Sequence, residues 1–199
     1  MIYWLYEQLL RRGLSLLPEQ LCFMITEQDM ADAPEKITEV SRWCSELGIR
    51  GVTFHISTPD PARVDPFLPF ICRIADFARL ELHGSTGGGH GEVMGEGMPV
   101  HVAIGHSGRG EIAGCIRRMA EDGVEPGKVD EALIDSYLTF RYAPDLVVKT
   151  GGFHLTDFLI WQSVYSELFF SDVNWRLFRK VDFLRALRDY QARKRRFGS

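Results

Sequence analysis

Paired cysteines, long apolar runs and excess positive charge are all missing from this 199-residue chain, and each gap closes off a class of function. The four cysteines, Cys22, Cys44, Cys72 and Cys115, lie far apart and form no C-x-x-C pair. A disulfide framework or a cysteine metal site is therefore not expected; buried, reduced thiols in a cytoplasmic protein are. No apolar run approaches the ~18 residues that would cross a bilayer. The N-terminal run is broken by Glu7 and by Arg11-Arg12, which is not the pattern of a signal peptide. Net charge is −4, so no broad basic surface and no nucleic-acid partner are expected. The glycine-rich stretch 84–97 has seven glycines but neither lysine nor arginine, and it lacks G-x-x-x-x-G-K-[ST]. It reads as a mobile surface loop, not a phosphate cradle. His83, His90, His101 and His106 fit no common zinc spacing. His101 alternates with apolar neighbours and reads as a satisfied structural histidine.

What is present is an alternation of strand and helix signals. Residues 1–17 form an amphipathic pattern, with Ile2, Leu5, Tyr6, Leu9 and Leu10 on one face. This N-terminal helix is expected to pack on the domain or a partner, or to touch a membrane surface through Tyr3, Trp4, Arg11 and Arg12. Strands are expected at 21–25, 52–56, 80–82, 100–104 and 146–148. Helices are expected at 34–47, 66–79, 110–122, 129–138 and from about 181 onward. The alternation argues for a single α/β domain over 18–199, with a central, mostly parallel sheet flanked by helices.

The C-terminal third carries the most specific signal. Its ordered pieces are Pro144-Asp145-Leu146, Thr150-x-Gly152, Phe158-Leu159-x-Trp161-Gln162, Tyr165-x-Glu167-Leu168, Asp172-Val173-x-Trp175, and Asp182-Phe183 leading to Arg195-Arg196-Phe197-Gly198. Together they resemble the cis-prenyltransferases, the undecaprenyl diphosphate synthase family. That resemblance implies their fold, and synthesis of long polyprenyl diphosphates from isopentenyl diphosphate and an allylic diphosphate with Mg²⁺.

Against the family pattern, the catalytic positions of this chain are degenerate. Where the family has Met-Asp-Gly-Asn, this chain has Ile25-Thr26-Glu27-Gln28. Thr26 is a weak ligand where Mg²⁺ wants a carboxylate, and Glu27 stands where a glycine backbone would approach phosphate. Where the family has Phe-Ser-Thr-Glu-Asn-Trp, Ser57-Thr58 remain and the asparagine and tryptophan are gone. The isopentenyl diphosphate site, Arg-Thr-[SG]-Gly followed by Arg-Leu-Ser, becomes Lys149-Thr150-Gly151-Gly152 followed by His154-Leu155-Thr156. Lysine keeps the charge but loses the bidentate fork. Glu167 and the Arg196-Phe197-Gly198 motif are kept.

The resemblance therefore points to the accessory, Nogo-B-receptor-type subunit of a heteromeric synthase. Such a subunit would lend Arg196 and Gly198 to a catalytic partner in trans, across an interface made by Phe158, Trp161, Tyr165, Glu167, Phe170 and Trp175. Mg²⁺ would sit in the partner's site, with Glu167 as a shared ligand. An active homodimeric transferase and a polyisoprenoid-binding non-enzyme are the alternatives. The location expected is the cytoplasm, with peripheral membrane contact.

Overall fold

The computed structural model describes residues 2–84, 92–152, 155, 157 and 159–197. The strands, in chain order, are β1 (Gln20–Thr26), β2 (Gly51–Ser57), β3 (Arg79–His83), β4 (Glu92–Met94), β5 (Pro99–Ile104), β6 (Leu146–Thr150) and β7 (Glu167–Ser171). They form one sheet in the order β4-β3-β5-β2-β1-β6-β7. Every pairing is parallel except the β3–β4 hairpin. The helices are α1 (Ile2–Arg12), α2 (Glu27–Asp32), α3 (Lys36–Leu47), α4 (Leu68–Cys72), α5 (Gly108–Glu121), α6 (Glu131–Tyr137) and α7 (Lys180–Phe197). The expected α/β architecture is what the chain adopts.

The strands read as near-continuous apolar runs because both sheet faces are covered, as parallel sheets require. On one face Leu21, Phe23, Ile25, Val52, Phe54 and Ile56 pack under α3 and α7, against Trp43, Trp175, Phe178, Phe183 and Leu187. The other face is a smaller layer of Cys22, Met24, Ala103 and Val147 beneath Phe140 and Leu159. Strand alternation places Thr53, His55, His101 and Lys149 on this second face, and all four are buried. Cys22, Cys44 and Cys115 are buried, Cys72 is half-buried, and none of the four is in a disulfide.

Local chemistry sets several element ends. Gly48 closes α3 in the left-handed region (φ 76°), where a side chain would be strained. Asp145 ties the start of β1 to β6, its carboxylate accepting from Glu19 N–H (2.8 Å) and Gln20 N–H (2.9 Å). The N-terminal segment lies on α7: Gln191 donates to the Gly13 carbonyl at 3.0 Å and accepts from Ser15 and Leu16 N–H at 2.6 and 2.9 Å. Leu10 is buried there, while Leu5 and Leu9 stay exposed. Among the described residues no helix is long and apolar enough to cross a membrane.

Three expectations need correction. The single helix expected at 66–79 is a 3₁₀ segment (Pro61–Phe67), a five-residue α4 and a second 3₁₀ turn (Arg73–Asp76). Pro66 and Pro69 remove N–H donors, and Arg79 already belongs to β3. β4 is a strand within the expected loop, and β7 is a strand where none was expected. Trp175, expected at an interface, is fully buried within this one chain, its ring 6.2 Å from Phe23 and 6.3 Å from Phe54.

Trp175→Ala should therefore destabilise the isolated protein by about 3–5 kcal/mol in chemical denaturation. Tyr165→Ala, at a residue 93% exposed, should change it by less than ~0.5 kcal/mol. A second expectation concerns acid. His55 is buried and donates from Nε2 to the His106 carbonyl at 2.9 Å. Burial pushes its pKa down to about 4 from an ordinary 6.5. The unfolded chain thus binds a proton that the folded chain refuses, so stability is complete above pH 6.5 and falls as pH drops toward 4. The slope from this one group is about 1.4 kcal/mol per pH unit. In His55→Gln that slope should lose one proton equivalent between pH 6 and 4.5, measured by urea melts at stepped pH.

Candidate functional site

The order of the strands decides where a ligand can sit. From β1 the chain winds outward through β2, then returns to place β6 on the other side of β1. In open α/β sheets the crevice at such a switch point, outside the carboxyl ends of the strands, is the default binding site. Here it is flanked by Thr26 at the end of β1 and Thr150-Gly151 at the end of β6.

Thr26 ends β1 in extended backbone and caps α2. Its hydroxyl accepts from Asp29 N–H (3.1 Å), and the Asp29 carboxylate accepts from Thr26 N–H (2.9 Å) and from the Thr26 hydroxyl (2.8 Å). The reciprocal pair is a capping box, which satisfies the first donors of the helix. Glu27 follows, and its carboxylate is held by the Thr58 hydroxyl from the end of β2 and by the Arg63 guanidinium at 2.8 Å. The Thr58 hydrogen bond first, and then Arg63, keep Glu27 below the usual carboxylate range.

Arg63 is a site residue that sequence reasoning missed. No cation follows β1 in the chain before Lys36, yet the loop after β2 brings one to the same place. The only available signal was its position, five residues after the retained Thr58.

Mg²⁺, which the family resemblance assigns to the partner's site, has no fitting cradle among these residues. Both Glu27 oxygens have protein partners, one Asp29 oxygen is taken twice by Thr26, and Arg63 brings positive charge into the cluster. An octahedral ion needs free carboxylate oxygens.

Across the crevice the degenerate isopentenyl diphosphate positions are also committed elsewhere. Lys149 is buried, and its ammonium donates to the Thr150 carbonyl at 2.9 Å. Strand alternation places it on the second face of the sheet. Thr150 is buried, and its hydroxyl oxygen has no hydrogen-bond partner. The Gly151 N–H is spent on the Ser171 and Val173 carbonyls at 3.1 and 3.2 Å. Gly151 (φ 67°) and Gly152 (φ 151°) make the turn that only glycine accommodates without strain. His154, Thr156, Phe158 and Gly198 lie outside the described residues, as do the side chain of Arg196 and His90.

Neighbouring contacts hold the roof of the second face. The Ser107 hydroxyl donates to Asp157 at 2.8 Å and caps α5 through Gly110 N–H at 3.1 Å. Gly108 N–H donates to the Asp157 carbonyl, and a Cβ on Gly108 would sit 2.8 Å from that oxygen, so glycine is required. Glu111 accepts from Phe140 N–H (2.8 Å) and from Gln162 (3.3 Å).

Of the expected interface residues, Trp161 donates to Asp135 at 2.7 Å. It lines a cleft of about 640 Å³ with Leu138, Arg141, Val164 and the exposed Tyr165. Phe170 is half-buried on β7. Glu167 is paired with Arg193 at 3.5 Å, and Arg193 also meets Asp189 at 2.7 Å and the Leu168 carbonyl at 3.1 Å. Glu167 as placed is thus an ion-pair partner that links β7 to α7.

Comparison with known proteins agrees with this architecture. The family model described as putative undecaprenyl diphosphate synthase matches residues 90–198. The chain is 32% identical to an isoprenyl transferase of Thermus thermophilus over 251 aligned positions, covering 99% of this chain and 95% of that protein. It is 34% identical to a tritrans,polycis-undecaprenyl-diphosphate synthase (geranylgeranyl-diphosphate specific) of Methanocaldococcus jannaschii, over 82% of this chain and 72% of that one. The 251 positions exceed the 199 residues here, so this chain carries the same fold with segments missing relative to the Thermus protein. Among solved structures, lavandulyl diphosphate synthase from Lavandula x intermedia, bound to dimethylallyl diphosphate, superposes with a TM-score of 0.71 at 18% identity, covering 88% of this chain and 95% of that one. A probable undecaprenyl diphosphate synthase from Campylobacter jejuni gives 0.66 at 20%, covering 94% and 100%. The sheet order, the switch-point crevice and these matches together make the chain a member of the cis-prenyltransferase, or undecaprenyl diphosphate synthase, family.

Proposed function

We propose that this chain works in prenyl diphosphate synthesis, joining isopentenyl diphosphate to an allylic diphosphate primer. The observation that carries the reading is the match to an isoprenyl transferase along 99% of the chain, including both strands that flank the crevice. The comparisons support most strongly a chain that is itself active as a homodimer, because the relatives described above are named as transferases or synthases. The exposed strip of Leu155, Ile160, Val164 and Tyr165 beside the Trp161 cleft is the surface on which a second subunit would seat.

A second reading is favoured by the crevice itself: an accessory subunit, of the Nogo-B-receptor type, paired with a catalytic family member. Thr26 and Glu27 offer no free carboxylate to Mg²⁺, and Lys149 is turned inward. On this reading the partner brings the Mg²⁺ site, and Arg196 and Gly198 reach the partner's isopentenyl diphosphate. A guanidinium held against a diphosphate in an enclosed site accelerates transfer by ~10²- to 10³-fold.

One assay separates the readings. The purified chain is incubated with Mg²⁺, labelled isopentenyl diphosphate and allylic primers, alone and with a family subunit that carries Asp-Gly-Asn. Product from the chain alone supports the homodimer. No product alone but at least ~10-fold stimulation of the added subunit supports the accessory role, and neither result would sink both. In whichever assembly turns over, Arg196→Ala should lower the rate ~10²-fold or more, while Lys194→Ala stays near the parent. Arg193 is no neutral control, since it holds α7 to β7.

A further inference from the structure

Beyond β2, on the second face of the sheet, β3 and β5 bring together three metal-ligating side chains. Glu81 on β3 stands directly opposite His101 on β5, and His83, two residues along β3, stands opposite the small Ala103. Alternation puts all three on one face. One ligand atom from each lies within 4.8 Å of the others. Glu81 Oε2 is 3.2 Å from His101 Nδ1 and 4.0 Å from His83 Nε2. Metal–ligand bonds of about 2.0–2.1 Å at tetrahedral angles separate ligand atoms by about 3.3 Å. The first edge already has that length, and the second reaches it by a rotamer adjustment of under an ångström.

A second observation points to a missing ligand. His101 is only 1% exposed, yet neither of its ring nitrogens makes a hydrogen bond. The Glu81 carboxylate is close enough but not aligned as an acceptor. A buried polar atom left unsatisfied is costly, and native structures hold few. His101 is thus buried as expected, with the Glu81 carboxylate at 3.2 Å as its polar neighbour but no well-aligned hydrogen bond.

We propose that Glu81, His83 and His101 form a binding site for a borderline divalent cation, Zn²⁺ by preference. Two imidazoles and one carboxylate suit Zn²⁺ and its neighbours in the first transition row and disfavour Mg²⁺, which demands oxygen. The surroundings fit the role. Arg79 holds Glu81 Oε1 at 2.9 Å, which leaves Oε2 turned toward the histidines. The His101 ring packs 4.2 Å from Tyr142, and the His83 ring 4.9 Å from Phe140, so aromatic rings wall the cluster. The ion would tie the outer hairpin, β3–β4, to β5 and to the loop carrying Phe140 and Tyr142. This site is independent of the prenyl-transfer reading and stands or falls separately.

The test uses the whole purified chain, stripped by a chelator and then titrated with Zn²⁺ by calorimetry. One Zn²⁺ per chain should bind with millimolar Mg²⁺ present, and excess Zn²⁺ at ~100 times Kd should raise Tm by roughly 5–10 °C. Co²⁺ in its place should give the visible absorption of a four-coordinate site. His101→Gln and Glu81→Gln should each weaken binding at least ~10-fold and remove that absorption. Glu39→Gln, at an exposed residue of α3, should do neither. Glu81 is partly exposed, so its variant keeps the test decisive if His101→Gln fails to fold. The absence of stoichiometric Zn²⁺ binding, or binding that survives Glu81→Gln with unchanged affinity, overturns the proposal.

Discussion

The contact on which both halves of this fold close is the ring of Phe23, in the middle of the central strand. It stacks on Phe54 of β2 at 5.4 Å and receives Trp175, Phe178 and Phe183 at 5.9–6.2 Å. Three of these four partners come from the last quarter of the chain. Aromatic pairs of this kind add about 0.5–1.5 kcal/mol each beyond the area they bury. The cluster therefore fastens the C-terminal segment under β1 and β2 and fixes the level at which β6 runs beside β1. The crevice exists because that register is fixed: Leu21 faces Leu146, and Met24 faces Lys149.

The two faces of the sheet divide the labour. The face under α3 and α7 is almost wholly apolar and supplies the packing. The other carries Thr53, His55, His101 and Lys149 under a thin roof of Phe140, Tyr142 and Leu159. Polar groups there must be matched one by one, and most are: His55 by a carbonyl, Lys149 by a carbonyl, Glu111 by Phe140 and Gln162. His101 is an exception, with neither ring nitrogen in a well-aligned hydrogen bond. It sits where Glu81 and His83 can share an ion.

The central strands were legible because burial on both faces writes itself as apolar, β-branched runs. α3 was legible because Gly48 announces its end. β7 was not, because Glu167-Leu168-Phe169-Phe170-Ser171 is a half-buried edge strand without regular alternation. The broken region 61–76 looked helical because its apolar spacing is helical, while its two prolines decide the backbone. In the crevice the departures at Thr26 and Glu27 could be read directly from the sequence. What could not be read was who answers them. Thr58 and Arg63 reach Glu27 across sequence separations of 31 and 36 residues, and no local pattern encodes that.

This pairing bears on how damaging Glu27 is. A carboxylate where a glycine backbone would meet a diphosphate repels the ligand by charge. Arg63, however, already lies on it, so the pair presents little net charge to an incoming anion. If a diphosphate draws Arg63 away, Glu27 repels while Arg63 attracts, and the two effects are of similar size and opposite sign at comparable distance. Charge alone therefore does not separate an active site from a silent one here. The deficit without an internal remedy is coordination. Thr26 offers a neutral oxygen, and Asp29 is turned back to cap its own helix. A Mg²⁺ ion would have to break the capping box to gain a carboxylate, with a cost of ~1 kcal/mol for the lost cap. As placed, Asp29 is committed to that cap, so coordination, and not charge, is what separates a working transferase from an accessory subunit at this crevice.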